Sequence, residues 1–286
     1  MVAGAPQPFR GSASFSFIFT GAIVQSSLNV WGSWLGRAAG FVRFMASAAA
    51  VAYAIRLALA GNWLLASAFV LLVVPLSVAP EFLERRRRRT IYRTGSVAEI
   101  LEAALREVQH SDQERVALQR ALALAALGVT GPARLALQAW RHRHLDDDEH
   151  EQLLIVEVLI EAFEGEHTGA HGRAVALRSL PRPESPGRER RSRAIRECMG
   201  AIVRAFDGRA EQGDLELLLR GPEVLPLLHW VTRYAAAAVC AQRGARDAVA
   251  TLLEGAPEWP QDSAFALLHR DLTMVIASPM PARRVA

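Results

Sequence analysis

The sequence contains no lysine, and asparagine occurs only as Asn29 and Asn62. All 33 basic side chains are therefore arginine. With abundant Ala, Leu and Gly, this is the signature of a GC-rich bacterial genome choosing among codons. The high isoelectric point follows partly from that choice, because arginine titrates so high, and it is no evidence for nucleic acid as a partner. Cysteine is scarce too. Cys198 and Cys240 lie in Ala-rich or aliphatic runs, outside any CxxC and away from histidine. Two buried, unpaired thiols are expected rather than a disulfide or a reactive nucleophile. No Gly-rich phosphate loop, GxSxG elbow or paired-cysteine metal motif is present. The usual sequence warrant for an enzyme or a cofactor is thus missing, and no catalytic or metal-binding residue is assigned. Strand alternation, hairpin dipeptides and βαβ alternation are absent beyond residue 94.

Charge is also missing from one place. Between residues 41 and 80 the charged side chains are Arg43 and Arg56 alone. The run from Trp63 to Ala79 has none, and at about 17 residues it sits at the lower end of what a helix needs to cross a bilayer. Trp63 opens it as an interfacial aromatic would. After Pro80 and Glu81 come Arg85, Arg86, Arg87, Arg88 and Arg89, which read as a cytoplasmic flank. The weaker run over 41–60 precedes a Gly61-Asn62 turn. A transmembrane hairpin over 37–84 is therefore expected, with spans at about 41–60 and 63–80 and both termini on the Arg37, Arg43 and five-arginine side. Arg56 opposes it: an arginine at a bilayer centre costs roughly 2.5–3.5 kcal/mol. Lying about five residues from the turn, it can reach the far headgroups. A single span at 63–79 and a buried soluble hairpin are the alternatives. Residues 1–36 are poorly defined, because Phe15, Phe17 and Phe19 alternate in a strand-like or interfacial way and no signal-peptide cleavage pattern follows.

From Thr94 the pattern becomes helical. Val97, Ile100, Leu101, Ala104, Leu105 and Val108 mark one helix face. Ser96 to Glu99 and Ser111 to Glu114 form capping boxes. After a basic juxtamembrane linker at 85–95, an all-α cytoplasmic domain is expected over 96–276, with a tail at 277–286. Its helices are predicted at about 131–143, 147–163, 168–180, 189–206, 210–220, 223–243, 245–254 and 261–276. Gly165, Gly208, Gly221, Gly244 and Gly255 fall at or just past predicted ends. The Pro-rich stretch 181–187 is the one clear linker and a candidate division of the domain.

Longer helices alternate with shorter Ala/Leu-rich ones that open on Gly131, Gly172, Gly213 and Gly244, about 30–40 residues apart. The stretch from Tyr234 to Pro257, with Gly244, Ala248, Leu252 and Pro257 at small, small, bulky and proline positions, resembles the tetratricopeptide-repeat-like superfamily. The resemblance is loose over 96–276, since the Trp, Leu-Gly and Tyr positions of that repeat's first helix are mostly missing. It implies an α-helical solenoid with a protein-binding groove and no chemistry. An irregular helical bundle is the alternative.

Three polar clusters remain. His142, His144, Asp146, Asp147, Asp148, Glu149 and His150 have metal-ligand chemistry, but read more simply as a basic helix end followed by an acidic helix start. Glu164, Glu166, His167 and His171 read as a solvated turn broken by Gly165 and Gly169. The basic residues Arg188, Arg190, Arg191, Arg193 and Arg196, interleaved with Glu189 and Glu197, read as a solvated helix face. Neither arginine cluster carries the aromatics that single-stranded nucleic acid would favour. Arg85 to Arg89 would attract anionic lipid headgroups, each charge worth about 1 kcal/mol near the surface. The expected protein is a membrane-anchored scaffold or adaptor at the cytoplasmic face of a bacterial inner membrane, binding a protein partner. The alternatives are a subunit assembled through its hairpin, by way of Ala46, Ser47, Ala50 and Ala54, and a metal-dependent hydrolase using residues 142–150.

Overall fold

The computed structural model describes residues 52–106, 113–138 and 146–277. Every element among them is helical. Helix α1 is described at residues 52–59. It closes as a chain of apolar residues must when it reaches a glycine it can use: Gly61 takes φ +81°, and the Asn62 and Gly61 N–H groups donate to the Leu57 and Ala58 carbonyls at 3.0 Å. This is the left-handed cap that satisfies the last helical carbonyls. Helix α2, Trp63–Thr94, starts at once.

Two compact units divide between Leu83 and Glu84. In the first, the buried side chains among the described residues are the small ones, Ala54 and Ala66. The large apolar ones are exposed: Leu59 by 84%, Leu64 by 88% and Leu71 by 75%. Among the described residues no helix is long and apolar enough to cross a membrane. The hairpin expectation therefore has its turn where the sequence puts it, but no support as a pair of membrane spans, and residues 41–51 of its first arm lie outside the described residues. So do Ala46, Ser47, Ala50, residues 1–36, the Ser111 end of the second capping box and the tail.

Residues 85–94, expected as a linker, are helical. Helix α2 runs unbroken through Pro75 and Pro80 and through all five arginines. An interior proline removes a hydrogen bond and crowds the preceding turn, yet neither proline ends the element.

The second unit is built from paired helices. Helix α3, Val97–Arg106, opens on the expected capping box: the Ser96 N–H donates to Glu99 at 2.8 Å, and Glu99's own N–H reaches Ser96 Oγ at 3.3 Å. Four long helices follow, each with a shorter companion: α4 (Gln113–Ala126) with α5 (Thr130–Gln138), α6 (Asp147–Glu164) with α7 (His167–Ser179), α8 (Pro186–Phe206) with α9 (Asp214–Val224), and α10 (His229–Gln242) with α11 (Arg246–Leu253). Each long helix packs on its companion and on the next long helix. The interiors of α6, α8 and α10 are accordingly apolar nearly all round, with Val156, Leu159, Met199, Ile202, Val231 and Tyr234 fully buried. Burying such a side chain contributes about 1.5–3 kcal/mol.

The last helix, α12 (Ala264–Ala277), breaks nearest-neighbour packing. Its entry segment runs back to the first pair. Ser263 Oγ donates to the Leu127 carbonyl at 2.7 Å, and the Ala264 N–H donates to the Gly128 carbonyl at 2.9 Å. Phe265 meets Phe163 of α6 edge-on at 5.1 Å and stacks on Tyr234 of α10 at 4.7 Å. In an open solenoid each unit touches its neighbours only; here residues 259–265 tie three pairs together.

The Pro-rich stretch 181–187 does not divide this unit, because one core runs across it. Arg196 is the reason. Expected on a solvated face, it is only 8% exposed. Its guanidinium donates to the Leu180 carbonyl at 2.8 Å, to the Pro181 carbonyl at 3.2 Å and to Glu151 of α6 at 2.9 Å. The carbonyls at the end of α7 are thereby satisfied by a cation that also suits the helix dipole.

Candidate functional site

The two arginine clusters, 100 residues apart in sequence, line one cleft. Helix α2 contributes Arg85, Arg88, Arg89 and Tyr92, a stripe spaced i, i+3, i+4, i+7. Helix α8 contributes Gly187, Arg188, Arg191, Ser192 and Ile195 on the same kind of stripe, together with Arg190. Helix α6 supplies Asp148, Glu151, Gln152 and Ile155. Leu122, Ile155, Ile195, Leu225 and Leu227 make the lining partly apolar, and the volume is about 990 Å³. That size is at the upper end for a ligand pocket.

Six arginines face three carboxylates in this lining, and two of the three are already engaged. Glu151 accepts from Arg196 at 2.9 Å and from Ser192 Oγ at 2.7 Å. Asp148 lies 3.4 Å from Arg188. Arg88 pairs with Glu84 at 3.3 Å. Arg89, Arg190 and Arg191 are exposed and carry no ion pair among the described residues. Arg86 and Arg87 belong to the same run but do not line the cleft. Trp63 stands apart in the first unit, 68% exposed at the start of α2. The linear run of five thus resolves into three cleft arginines and two others, a division that follows from 3.6 residues per turn. The contribution of α8 was hidden by sequence distance.

The other clusters disperse. Residues 139–145, with His142 and His144, lie outside the described residues. Asp146 and Glu149 form a capping box at the start of α6: the Glu149 N–H donates to Asp146 at 2.7 Å, and the Asp146 N–H reaches Glu149 at 3.3 Å. Of the second cluster, Glu164 pairs with Arg134 of α5 and His171 meets Asp207 at 3.2 Å. Gly165 breaks the chain between α6 and α7 as expected, at φ +78°, whereas helix α7 runs on through Gly169. Among the described residues no group of three or more His, Cys, Asp or Glu is placed to hold a metal ion.

Several buried polar groups have structural explanations. Tyr234 accepts from the Trp259 indole N–H at 2.7 Å, and its hydroxyl meets His269 Nδ1 at 2.8 Å. Burial pushes the Tyr234 phenol up to about 12. Burial likewise raises the Cys198 thiol to about 12; both cysteines are buried and free, which suits packing rather than nucleophilic chemistry. His229 is buried at the start of α10, with both ring nitrogens unpartnered among the described residues. Burial, with Arg233 and Arg93 nearby, lowers its imidazole to about 4.

The chain matches no family model, no curated protein and no solved structure.

Proposed function

We propose that this protein is a membrane-anchored helical scaffold: the apolar segment before residue 84 is held in a bilayer, and the paired helices of residues 84–286 bind a protein partner at its cytoplasmic face. The observation that carries the reading is the concentration of exposed large apolar side chains between Tyr53 and Leu83, including Ile55, Leu59, Trp63, Leu64, Leu65 and Phe82. Water is a poor solvent for such side chains, and large exposed apolar patches mark membrane or protein contact. The arginines that follow on the same helix supply the sidedness of a cytoplasmic flank. The finer form of the reading is a hairpin with spans at about 41–60 and 63–80 turning at Gly61.

The helix pairs of the second unit support the scaffold half. Arrays of long and short helices, with starts at Gln113, Asp147, Pro186 and His229, resemble tetratricopeptide-like repeats and present broad surfaces with no built-in chemistry. Anchoring raises the effective concentration of such a surface for membrane-bound partners. Crosslinking in intact cells tests it: a defined protein should be captured by the full chain and lost when residues 52–83 are replaced by a soluble leader. Capture of no protein above background removes the scaffold reading.

A further inference from the structure

We infer that the cleft between α2, α6 and α8 is a binding site for the phosphate headgroup of a single anionic phospholipid. The inference rests on the membrane reading above and goes beyond it by replacing a diffuse belt of positive charge with one built pocket. Arg89, Arg190 and Arg191 come from two helices, face one volume of about 990 Å³, and lack carboxylate partners among the described residues.

Guanidinium suits phosphate because its planar fork donates two parallel hydrogen bonds to two oxygens. The first turn of α8 adds to this. Gly187 and Arg188 line the cleft, and Ser185 makes no side-chain cap there; Pro186 has no N–H and the Glu189 N–H is held by the Ser185 carbonyl, so the Gly187 and Arg188 N–H groups of this 21-residue helix are available to an anion.

The apolar part of the lining selects among anions. A free phosphate has no use for Ile195, Leu225 and Leu227, whereas a phospholipid carries its glycerol ester and acyl chains beside the phosphate. Arg85 and Arg89 also follow the exposed apolar stretch in sequence, on the same helix.

The test uses the full chain in a neutral detergent, titrated by calorimetry with dihexanoyl phosphatidic acid, dihexanoyl phosphatidylcholine and inorganic phosphate. Saturable binding is expected for phosphatidic acid and none for phosphatidylcholine. Replacing the three unpaired arginines together (Arg89→Gln, Arg190→Gln, Arg191→Gln) is expected to weaken binding by about a hundredfold, two tenfold steps of about 1.4 kcal/mol each. The pair Arg86→Gln and Arg87→Gln, outside the cleft, should change it by less than about threefold, since exposed charges act weakly through water. Absence of saturable binding overturns the inference, as does equal weakening by both sets of substitutions. Inorganic phosphate binding as tightly as phosphatidic acid overturns the lipid assignment. The assay needs no bilayer, so its failure is separable from failure of the anchor: a chain that leaves membranes in alkaline carbonate yet binds phosphatidic acid loses the anchor and keeps the site.

Discussion

Arg196 holds the middle of the helical array together, and its removal gives the sharpest test of that architecture. The side chain is 9% exposed and its partner Glu151 is 13% exposed, so solvent screening discounts the pair little. Arg196→Met keeps the length of the aliphatic stem but deletes one charge-assisted hydrogen bond and two bonds to the end of α7. It leaves the largely shielded Glu151 with Ser192 as its remaining hydrogen-bond donor. Breaking a buried pair from one side costs about 3–5 kcal/mol. The Arg196 Nε has no partner, a penalty the methionine relieves, so the lower end of that range is expected. For a unit of this size each kcal/mol moves Tm by about 2–4 °C, giving a fall of about 6–12 °C. Circular dichroism of the full chain in detergent measures it. Adding Glu151→Gln to Arg196→Met should recover part of the loss, because the uncompensated carboxylate is gone. A single variant within about 1 kcal/mol of the parent, or a double variant no better than the single, refutes the clasp.

Gly221→Ala places a Cβ 2.8 Å from both Cys198 Sγ and Thr232 Cγ2; overpacking there should cost about 1–3 kcal/mol in urea unfolding. Asp214 accepts from Arg204 at 2.9 Å. Burial alone disfavours its charge, but Arg204 and the Glu211 N–H together hold its carboxyl below the ordinary carboxylate value. Its stabilising contribution is therefore present above the unfolded carboxylate pKa and lost as pH falls through the lower folded value, and Asp214→Asn should flatten that acid limb of a Tm–pH profile. His229 behaves as a buried neutral imidazole. The unfolded state takes up its proton near 6.5 while the folded state resists to about 4, so stability should decline from pH 6.5 downward, and His229→Phe should remove that decline without lowering Tm at pH 8. If residues 142–150 held a catalytic metal, chelator would lower Tm; no change is expected.

Much of the helical architecture was legible because caps and periodicity are local. The glycines Gly165, Gly208, Gly244 and Gly255 all sit at positive φ, as helix-ending glycines do, and they bounded most helices to within a few residues. Gly221 misled for a physical reason. It lies within α9, where the missing Cβ admits Cys198 and Thr232, so the helix continues through Pro222 to Val224 and the predicted 223–243 helix loses its first turn to a short 3₁₀ segment, Pro226–Leu228. Helix α9 also starts at Asp214 rather than 210, because the Arg204–Asp214 pair, with the Glu211 N–H at 2.8 Å, fixes a turn ahead of it. The cleft was half legible. Spacing alone divides Arg85, Arg88 and Arg89 from Arg86 and Arg87, but nothing local brings α8 to them. Arg196 and Arg190 look alike in sequence; tertiary packing makes one a buried clasp and leaves the other exposed.

The anchor underlies the whole reading, and alkaline carbonate washing of membranes that contain the full chain tests it most directly, followed by protease added from each side. The chain is expected to stay with the washed membrane and residues 84–286 to be cut only from the cytoplasmic side. Release of the intact chain into the carbonate supernatant would contradict the account.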